Sequence, residues 1–360
     1  MATRVPFALD EAFSNSYSGG RPAFSFPFPF PQAFGATGQT ALGVDKNFPF
    51  GYTANWNLTV EKEVLPDTAL RVTYLGVKGT NLPYQSYISP AIGQGALYPG
   101  FSRVTMVSAG GNLSYQGMEA SLKRRFSAGM QFELFYSWGH KLGLPSVLRP
   151  WRETDFGDYI EDARNRERDY GRQPDWADQR FSISHVVELP FGRGRRFLSS
   201  IPRAANYAIG GWALSGWWWF DTWKPITPVV AGQDPLGLGR NIRAAVVPGC
   251  NPNITPTLGA IYNTACFTRP TAGQYGDAAY NVILPKSWVG LGQNNVALYK
   301  DIPLLFTESA MLRIGGKFVN LFNHPWLTQA GGSNIITGGT AGRGAMTGAR
   351  TIRVEAKIEF

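Results

Sequence analysis

Strict alternation of apolar and polar residues is the dominant pattern of this sequence. In the segment 52–61, every even-numbered position is apolar and every odd-numbered position is polar. A period of two residues is typical of a β-strand whose two faces meet different surroundings. Nine segments show the pattern to varying degrees, and most of them are longer than the usual strand of about 5–6 residues. They are 52–61, 70–74, 118–126, 130–138, 181–189, 212–221, 296–301, 312–318 and 352–360.

Segment length and connection length together predict a membrane-spanning barrel. A tilted strand needs about 9–11 residues to cross a bilayer. The connections alternate between tight turns, at 65–67 and 127–129, and long stretches, at 140–178 and 224–294. Outer-membrane barrels combine short periplasmic turns with long extracellular loops, whereas long loops are uncommon in compact soluble domains. The predicted fold class is therefore all-β, an antiparallel transmembrane β-barrel of the outer-membrane type with about nine or ten strands.

The order of turns and loops also predicts direction. The last strand follows a long loop, so it runs inward and Phe360 ends on the periplasmic side. By the same count, 1–49, with its Pro/Phe-rich stretch, is expected to be an extracellular loop segment, and 50–360 the barrel portion. Nine is an odd number, whereas bacterial single-chain barrels normally have an even number of strands. We favour the C-terminal part of a longer barrel; the alternative is an unrecognised strand in 1–49 that closes a ten-stranded barrel.

Composition excludes several other classes. The 360 residues include 42 Gly and 25 Pro, which are too costly inside helices to allow a helical bundle. No run of 18 apolar residues occurs, so a helical membrane protein is excluded as well. The net charge is +9, but the basic residues are scattered rather than clustered, so no nucleic-acid partner is expected.

Two groups of side chains are candidate functional residues. Charged residues at polar positions are predicted to line a lumen and to pair with opposite charges on neighbouring strands; an electrostatic path or a docking surface is the alternative. These lumen candidates are Arg71, Lys123, Arg125, Arg180, Arg313 and Lys317. Indole rings at apolar positions are predicted to form an aromatic girdle, which consists of Trp56, Trp138, Trp212 and Trp218. A dense indole cluster consists of Trp212, Trp217, Trp218, Trp219 and Trp223, and stacking of this cluster on a sugar or another flat ligand is the alternative to a girdle role. Alternation points Trp218 outward and Trp217 and Trp219 inward.

Cysteine and histidine positions predict no reactive centre. Cys250 and Cys266 lie 16 residues apart and are a candidate disulfide, with two free thiols as the alternative. The histidines, His140, His185 and His324, are dispersed and none has a partner Ser or Cys in a recognised motif. We therefore expect no catalytic residue, no metal site, no cofactor and no enzymatic activity.

Several stretches along the chain form a recognisable series, namely Gly51–Val60, Tyr74–Leu82, Tyr115–Ala120, Lys123–Phe126, Glu188–Gly194 and Asn320–Pro325. In this order they resemble TonB-dependent receptors of the Oar-like type. The resemblance implies an outer-membrane transporter that takes up a nutrient, such as an oligosaccharide or a peptide, through a plugged barrel of about 22 strands. Phe360 resembles the aromatic C-terminus that the barrel-assembly machinery reads. We expect neither a signal peptide nor a plug in this sequence, so contact with the TonB complex is expected only through the missing plug region.

Two other functions remain open at this point. One is a non-transporting outer-membrane surface or adhesion protein that binds a partner through its long loops. The other is a soluble, aromatic-rich β-domain that binds glycans. The surface protein, like the transporter, is expected to lie in outer-membrane lipid. The soluble domain predicts instead that Trp56, Leu58 and Phe132 pack in a water-soluble core.

Overall fold

The computed structural model contains one large antiparallel sheet beneath a small folded region of loops. It describes residues 17–18, 21–22, 39–88, 101–144, 160–174, 176–222, 224–230, 241–255, 260–271, 273–285, 288–289, 294–304, 310–323, 327–328, 334–335, 342–343 and 349–359. The nine main strands are β1 (Tyr52–Leu65), β2 (Thr68–Tyr87), β3 (Phe101–Ser127), β4 (Met130–Gly143), β5 (Gln179–Glu188), β6 (Trp212–Thr222), β7 (Asn295–Pro303), β8 (Met311–Val319) and β9 (Thr351–Glu359).

The nine strands form an up-and-down meander. Each strand pairs antiparallel with the next one along the chain, from β1 at one edge to β9 at the other. The strands match the nine predicted segments, and the predicted fold class is confirmed. In the described part of the chain no ladder joins β1 to β9, so the sheet is open.

The register gives the sheet two faces of different chemistry. Glu61 lies opposite Arg71, and Arg71 lies opposite Ser121, so these side chains share what we call the charged face. Leu58 and Val60 lie on the other side, which we call the apolar face, and they are 68% and 63% exposed. Such exposure shows that the apolar face of β1 does not pack into a protein core.

The two ends of the sheet also differ. At the turn end, two-residue turns join β1 to β2 and β3 to β4, and a longer connection joins β5 to β6. That connection contains the helix α1 (Arg203–Ile209), which the sequence pattern did not predict. At the opposite end, the loop end, the connections are long. No helix in the described ranges is long and apolar enough to cross a membrane.

β2 and β3 are longer than the alternation predicted. They have 20 and 27 residues and occupy most of the stretch 78–112, which was expected to be a loop. The pattern fails there because Pro83 and the pair Gly110 and Gly111 interrupt it, while the ladder continues across irregular register shifts between Gly79 and Tyr84. A further strand, Gln39–Val44, pairs parallel with the start of β3 at the loop end and not with the free edge of β9.

Above the loop end, residues from several connections form a hydrophobic cluster that we call the loop core. Its buried members are Tyr87, Ile226, Val230, Ile242, Ala244, Ile261, Tyr262, Cys266, Phe267, Ala278 and Ile283. Short elements accompany it or lie elsewhere in the connections: Tyr17–Ser18, Arg21–Pro22, Gly171–Arg172, Val229–Val230, Ile242–Arg243, Ala245–Val246, Phe267–Thr268, Trp288–Val289, Leu327–Thr328, Gly342–Arg343 and the 3₁₀ turns Arg166–Asp169 and Thr264–Cys266.

Candidate functional site

Cross-strand ion pairs cover the charged face near β1 to β6. The Arg71 Nη2 atom lies 2.7 Å from Glu61 Oε2, and Lys123 Nζ lies 3.9 Å from Glu133 Oε2. On the neighbouring strands, the Arg180 Nε atom lies 3.0 Å from Asp221 Oδ1. Side chains of opposite charge directly across a ladder stabilise it modestly, because water still reaches them.

The same arrangement continues on β7 to β9. Arg313 donates to both carboxylate oxygens of Asp301, at 2.7 and 2.9 Å, and its guanidinium carbon lies 5.0 Å from the centre of the Tyr299 ring. Lys317 Nζ lies 2.8 Å from Glu355 Oε2. For the sixth predicted lumen residue, Arg125, the structure records a backbone N–H donated to the carbonyl of Asp67. Five of the six predicted lumen charges thus have a carboxylate partner.

Two indole rings lie among these charges. Trp217 and Trp219 stack with their centroids 6.4 Å apart and their planes inclined by 16°. The register places Trp217 opposite Ser184 and Trp219 opposite Ser182, so both rings belong to the charged face. The Arg180 guanidinium lies 5.3 Å from the centre of the Trp219 ring. A flat apolar surface flanked by hydroxyl groups and cations suits a ligand with both apolar and polar faces.

The charged face is concave beside these rings. A pocket of about 560 Å³ there is lined by Trp217, Ser184, Asn295, Lys123, Glu133 and Lys317, among others. A second hollow, of about 590 Å³, extends toward the turn end and shares Lys123 and Glu133 with the first. The lining offers ammonium, carboxylate, amide and hydroxyl groups within one trough, so it can bind a polar ligand by several hydrogen bonds.

The four predicted girdle residues lie on the opposite, apolar face. Trp212 begins β6 at the turn end, and its indole N–H donates to the Ala208 carbonyl at 2.9 Å. Trp218, six residues further along β6, packs against Phe322 with centroids 5.8 Å apart. Trp56 lies over Gly76 of β2, where an added Cβ atom would overlap the indole ring. Trp138 contacts the His140 ring edge to face at 5.3 Å. Their role as a membrane girdle stays a prediction.

A buried ion-pair network joins two loops at the loop end. Arg243 donates from Nε to Glu161 at 2.6 Å and from its backbone N–H to the same carboxylate at 2.8 Å. Its Nη1 atom donates to the carbonyls of Arg168 and Ala278, and its Nη2 atom lies 3.5 Å from Asp169. The side chains of Arg243, Glu161 and Asp169 are all at most 1% exposed. The network ties the segment 160–169 to the segment 242–278.

The loop core and the residues packed against it include a disulfide and two tyrosines with a raised pKa. The Sγ atoms of Cys250 and Cys266 are bonded, with Cα atoms 5.2 Å apart. Burial raises the pKa of Tyr262 to about 12. Burial, together with the nearby carboxylates Asp162 and Glu161, raises the pKa of Tyr275 to about 12 as well, although Arg168 opposes the shift. The Arg168 guanidinium lies 5.0 Å from the Tyr275 ring centre.

Sequence analysis did not identify the Glu161–Arg243 network. The two residues are 82 positions apart, and the segment 151–180 holds many charges without a periodic pattern. No local signal distinguishes Glu161 from its exposed neighbours, so only the three-dimensional contact reveals it.

The remaining sequence candidates are dispersed. His140 Nδ1 lies 3.3 Å from Asp178 Oδ2 near the loop end of β4, and His185 lies on the apolar face of β5. His324 and Phe360 lie outside the described residues. Within the described ranges, no three His, Cys, Asp or Glu side chains are grouped so that they could hold a metal ion.

An open meander of long strands with one charged and one exposed apolar face defines an outer-membrane barrel protein. The chain belongs to the outer membrane beta-barrel domain family, whose model matches residues 1–353. Its location is therefore the outer membrane. In such barrels the short turns are periplasmic and the long loops extracellular, so we expect the turn end to face the periplasm and the loop core to lie outside the cell.

Solved structures of similar shape come from larger outer-membrane proteins. The outer membrane transporter YddB from Escherichia coli is 8% identical, with a TM-score of 0.44 over 90% of this chain and 33% of that one. The pyoverdine outer membrane receptor FpvA from Pseudomonas aeruginosa PAO1 is 10% identical, with a TM-score of 0.41 over 86% of this chain and 30% of that one.

A third similar structure is the FrpB iron transporter from Neisseria meningitidis, which is 8% identical with a TM-score of 0.38 over 89% of this chain and 32% of that one. The present chain spans about a third of the length of each of these proteins. No curated protein matches it in sequence.

Proposed function

We propose that this chain is the C-terminal barrel portion of a TonB-dependent receptor of the Oar-like type, which takes up an oligosaccharide or a peptide. The uptake is energy-coupled and requires a plug that contacts the TonB complex. The barrel-assembly machinery reads the terminal Phe360, and the protein has no enzymatic role. The order of the motifs between residues 51 and 325 supports this assignment.

The trough beside Trp217 and Trp219 is the observation that carries the proposal. A barrel of about eight strands fills its interior with side chains, whereas only wider barrels leave a lumen for a ligand or a plug. Here nine strands leave a concave surface that combines charged, polar and aromatic groups, and the edge strands β1 and β9 have no ladder between them in the described part of the chain. Free strand edges are not tolerated in lipid, so we propose that strands beyond these nine close the barrel and enlarge its lumen.

Ligand binding by the trough can be tested with a matched pair of variants. Trp217 and Trp138 are 42% and 44% exposed but lie on opposite faces of the sheet. We expect Trp217→Ala to weaken the retention of a ligand selected from an oligosaccharide and peptide library by roughly 2- to 13-fold, since stacking contributes about 0.5–1.5 kcal/mol beyond area burial. Trp138→Ala should bind normally. Equal retention by both variants would contradict a ligand site in the trough.

Transport is tested separately in cells that carry the complete gene. Uptake of the selected ligand should stop when a protonophore dissipates the proton gradient, while surface binding persists. An in-frame plug and signal peptide upstream of Met1 in the genomic sequence would support the transporter. Binding without gradient-dependent uptake would contradict it.

A second candidate function is that of an outer-membrane surface protein whose loops bind a partner without transport. The loop core favours this alternative, because a disulfide and a buried ion-pair network give the extracellular loops a fixed shape. It predicts that ligand binding survives Trp217→Ala but is lost when the loop core is opened. A soluble glycan-binding domain conflicts with two findings, since the chain belongs to an outer-membrane family and its apolar face is exposed.

A further inference from the structure

The periplasmic connection between β5 and β6 has an unusual charge. Residues 189–211 contain four arginines and no carboxylate or lysine. All four, Arg193, Arg195, Arg196 and Arg203, are exposed. Arg195 already contacts Glu188 at 2.8 Å, and Arg196 lies over the Phe197 ring at 5.4 Å. Arg193 and Arg203 both line a further pocket.

The same connection exposes apolar side chains. Phe197, Leu198 and Tyr207 are 47%, 50% and 50% exposed, and Phe191 and Ile209 are 41% and 39% exposed. Arginines beside exposed aromatic and aliphatic groups are typical of segments that lie in a membrane–water interface, where the apolar groups enter the acyl region and the cations stay at the headgroups.

Two contacts fix the connection at the lipid side of the barrel. Trp212 and Lys300 are neighbours on the apolar face, with the ammonium 5.5 Å from the indole centre. Trp212 donates to the Ala208 carbonyl, and Lys300 donates to the Gly210 carbonyl. The C-terminal end of α1 is thereby held against the lipid-facing side, at the depth where aromatic side chains and cations favour the interface.

The pocket at this place has a volume of about 430 Å³ and is cationic. Arg193, Arg203 and Lys300 line it together with Asn206, Tyr207 and Asp301. The Asp301 carboxylate accepts two hydrogen bonds from Arg313, so its charge is largely compensated. Asn206 accepts the backbone N–H of Arg193 at 2.8 Å, which holds the arginine-bearing turn against α1.

We propose that this pocket binds the phosphate headgroup of an anionic phospholipid in the inner leaflet of the outer membrane. Arg193 and Arg203 bind the phosphate, because guanidinium groups match phosphate oxygens in geometry and charge. Phe197, Leu198 and Ile209 lie beside the acyl chains. The proposal rests on the outer-membrane location and does not depend on the transported ligand.

The test uses the protein expressed from the complete gene and purified in a neutral detergent. Native mass spectrometry measures retention of phosphatidylglycerol and, in parallel, of phosphatidylcholine, with inorganic phosphate as a competitor. The variant is Arg193→Gln/Arg203→Gln. The control is Arg164→Gln/Arg350→Gln, which removes the same charge from two exposed arginines at the loop end.

We expect phosphatidylglycerol to bind more tightly than phosphatidylcholine, and the variant to lose about fivefold in affinity per arginine, roughly 25-fold in all. The control should bind as the unaltered chain does. Equal losses in both double variants, or no preference for phosphatidylglycerol, would overturn the proposal. Complete displacement by millimolar inorganic phosphate would overturn it in favour of a free-phosphate site. If the double variant fails to fold, the single variant Arg203→Gln should still lose about fivefold in affinity for phosphatidylglycerol. Arg203 is exposed at the start of α1, so its replacement should not disturb folding.

Discussion

The transmembrane sheet and the extracellular loop core are stabilised in different ways. The sheet relies on nine strands, each paired with the next along the chain, and its ion pairs are largely exposed. The loop core relies on buried contacts, namely an ion-pair network between Glu161 and Arg243, a disulfide and a hydrophobic cluster. A single substitution should therefore affect the loop core strongly and most positions of the sheet weakly.

The strongest test of this difference is the removal of Arg243. Arg243→Ala leaves the buried carboxylates of Glu161 and Asp169 without their main counter-charge, and breaking such a pair costs about 3–5 kcal/mol. We expect hydrogen exchange of the Ala244 amide, which donates to the Pro228 carbonyl, to accelerate by two orders of magnitude or more. Amides of β4 and β5 should exchange as before.

The exposed pair of the sheet supplies the control for this prediction. Arg71→Ala removes the partner of Glu61, but both side chains are about half exposed. Exposed pairs contribute about 0–1 kcal/mol. If Arg71→Ala destabilised the sheet as much as Arg243→Ala destabilises the loop core, the two regions would not differ in the way described.

The disulfide should matter only for the loop core. Cys250→Ser/Cys266→Ser releases a loop closed over 16 residues, which corresponds to about 3 kcal/mol in the chain-entropy account. Limited proteolysis should then cleave the region around 250–266, while the strand signal in circular dichroism stays unchanged. Loss of that strand signal would mean that the sheet depends on the loop core for its stability.

Lipid contact can be tested with two adjacent residues of β5. Ile183 lies on the apolar face, opposite Leu134 and Trp218, whereas Ser184 lies on the charged face, opposite Glu133. Ile183→Arg should destabilise the sheet in lipid vesicles by about 2–4 kcal/mol. Ser184→Arg should change the stability of the sheet by less than about 1 kcal/mol, because the new cation lies opposite the Glu133 carboxylate. Urea unfolding followed by tryptophan fluorescence measures both, and similar losses would mean that the faces are wrongly assigned.

The contrast also explains how much could be predicted from the sequence. Lipid on one side and water on the other impose a period of two, so all nine strands and the facing of Trp217 and Trp218 follow from alternation alone. The length of β3 could not be predicted in this way, because the strand continues through Gly110 and Gly111, where the alternation stops. The loop core was not predictable either, since no periodic pattern marks Glu161 and Arg243 as partners. The cysteine pair was a candidate only because the chain contains no other cysteine.

Alkaline pH should destabilise the loop core but not the sheet, without any substitution. At neutral pH we expect no such difference, so this is the smallest effect under ordinary conditions. The pKa of Tyr262 and of Tyr275 is raised from 10.0 to about 12 in the folded chain, so the folded loop core holds protons that the unfolded chain releases. The stability from these protons is complete below pH 10 and is lost as the pH rises toward 12. We expect protease sensitivity of the loop core and tyrosinate absorbance to rise together in this window, while the strand signal persists.

Tyr262→Phe/Tyr275→Phe should weaken the transition, and Tyr207→Phe, which alters an exposed ring at the turn end, should leave it unchanged. A transition of the same size in the Tyr262→Phe/Tyr275→Phe variant would assign the pH dependence to other groups and remove this distinction between the loop core and the sheet.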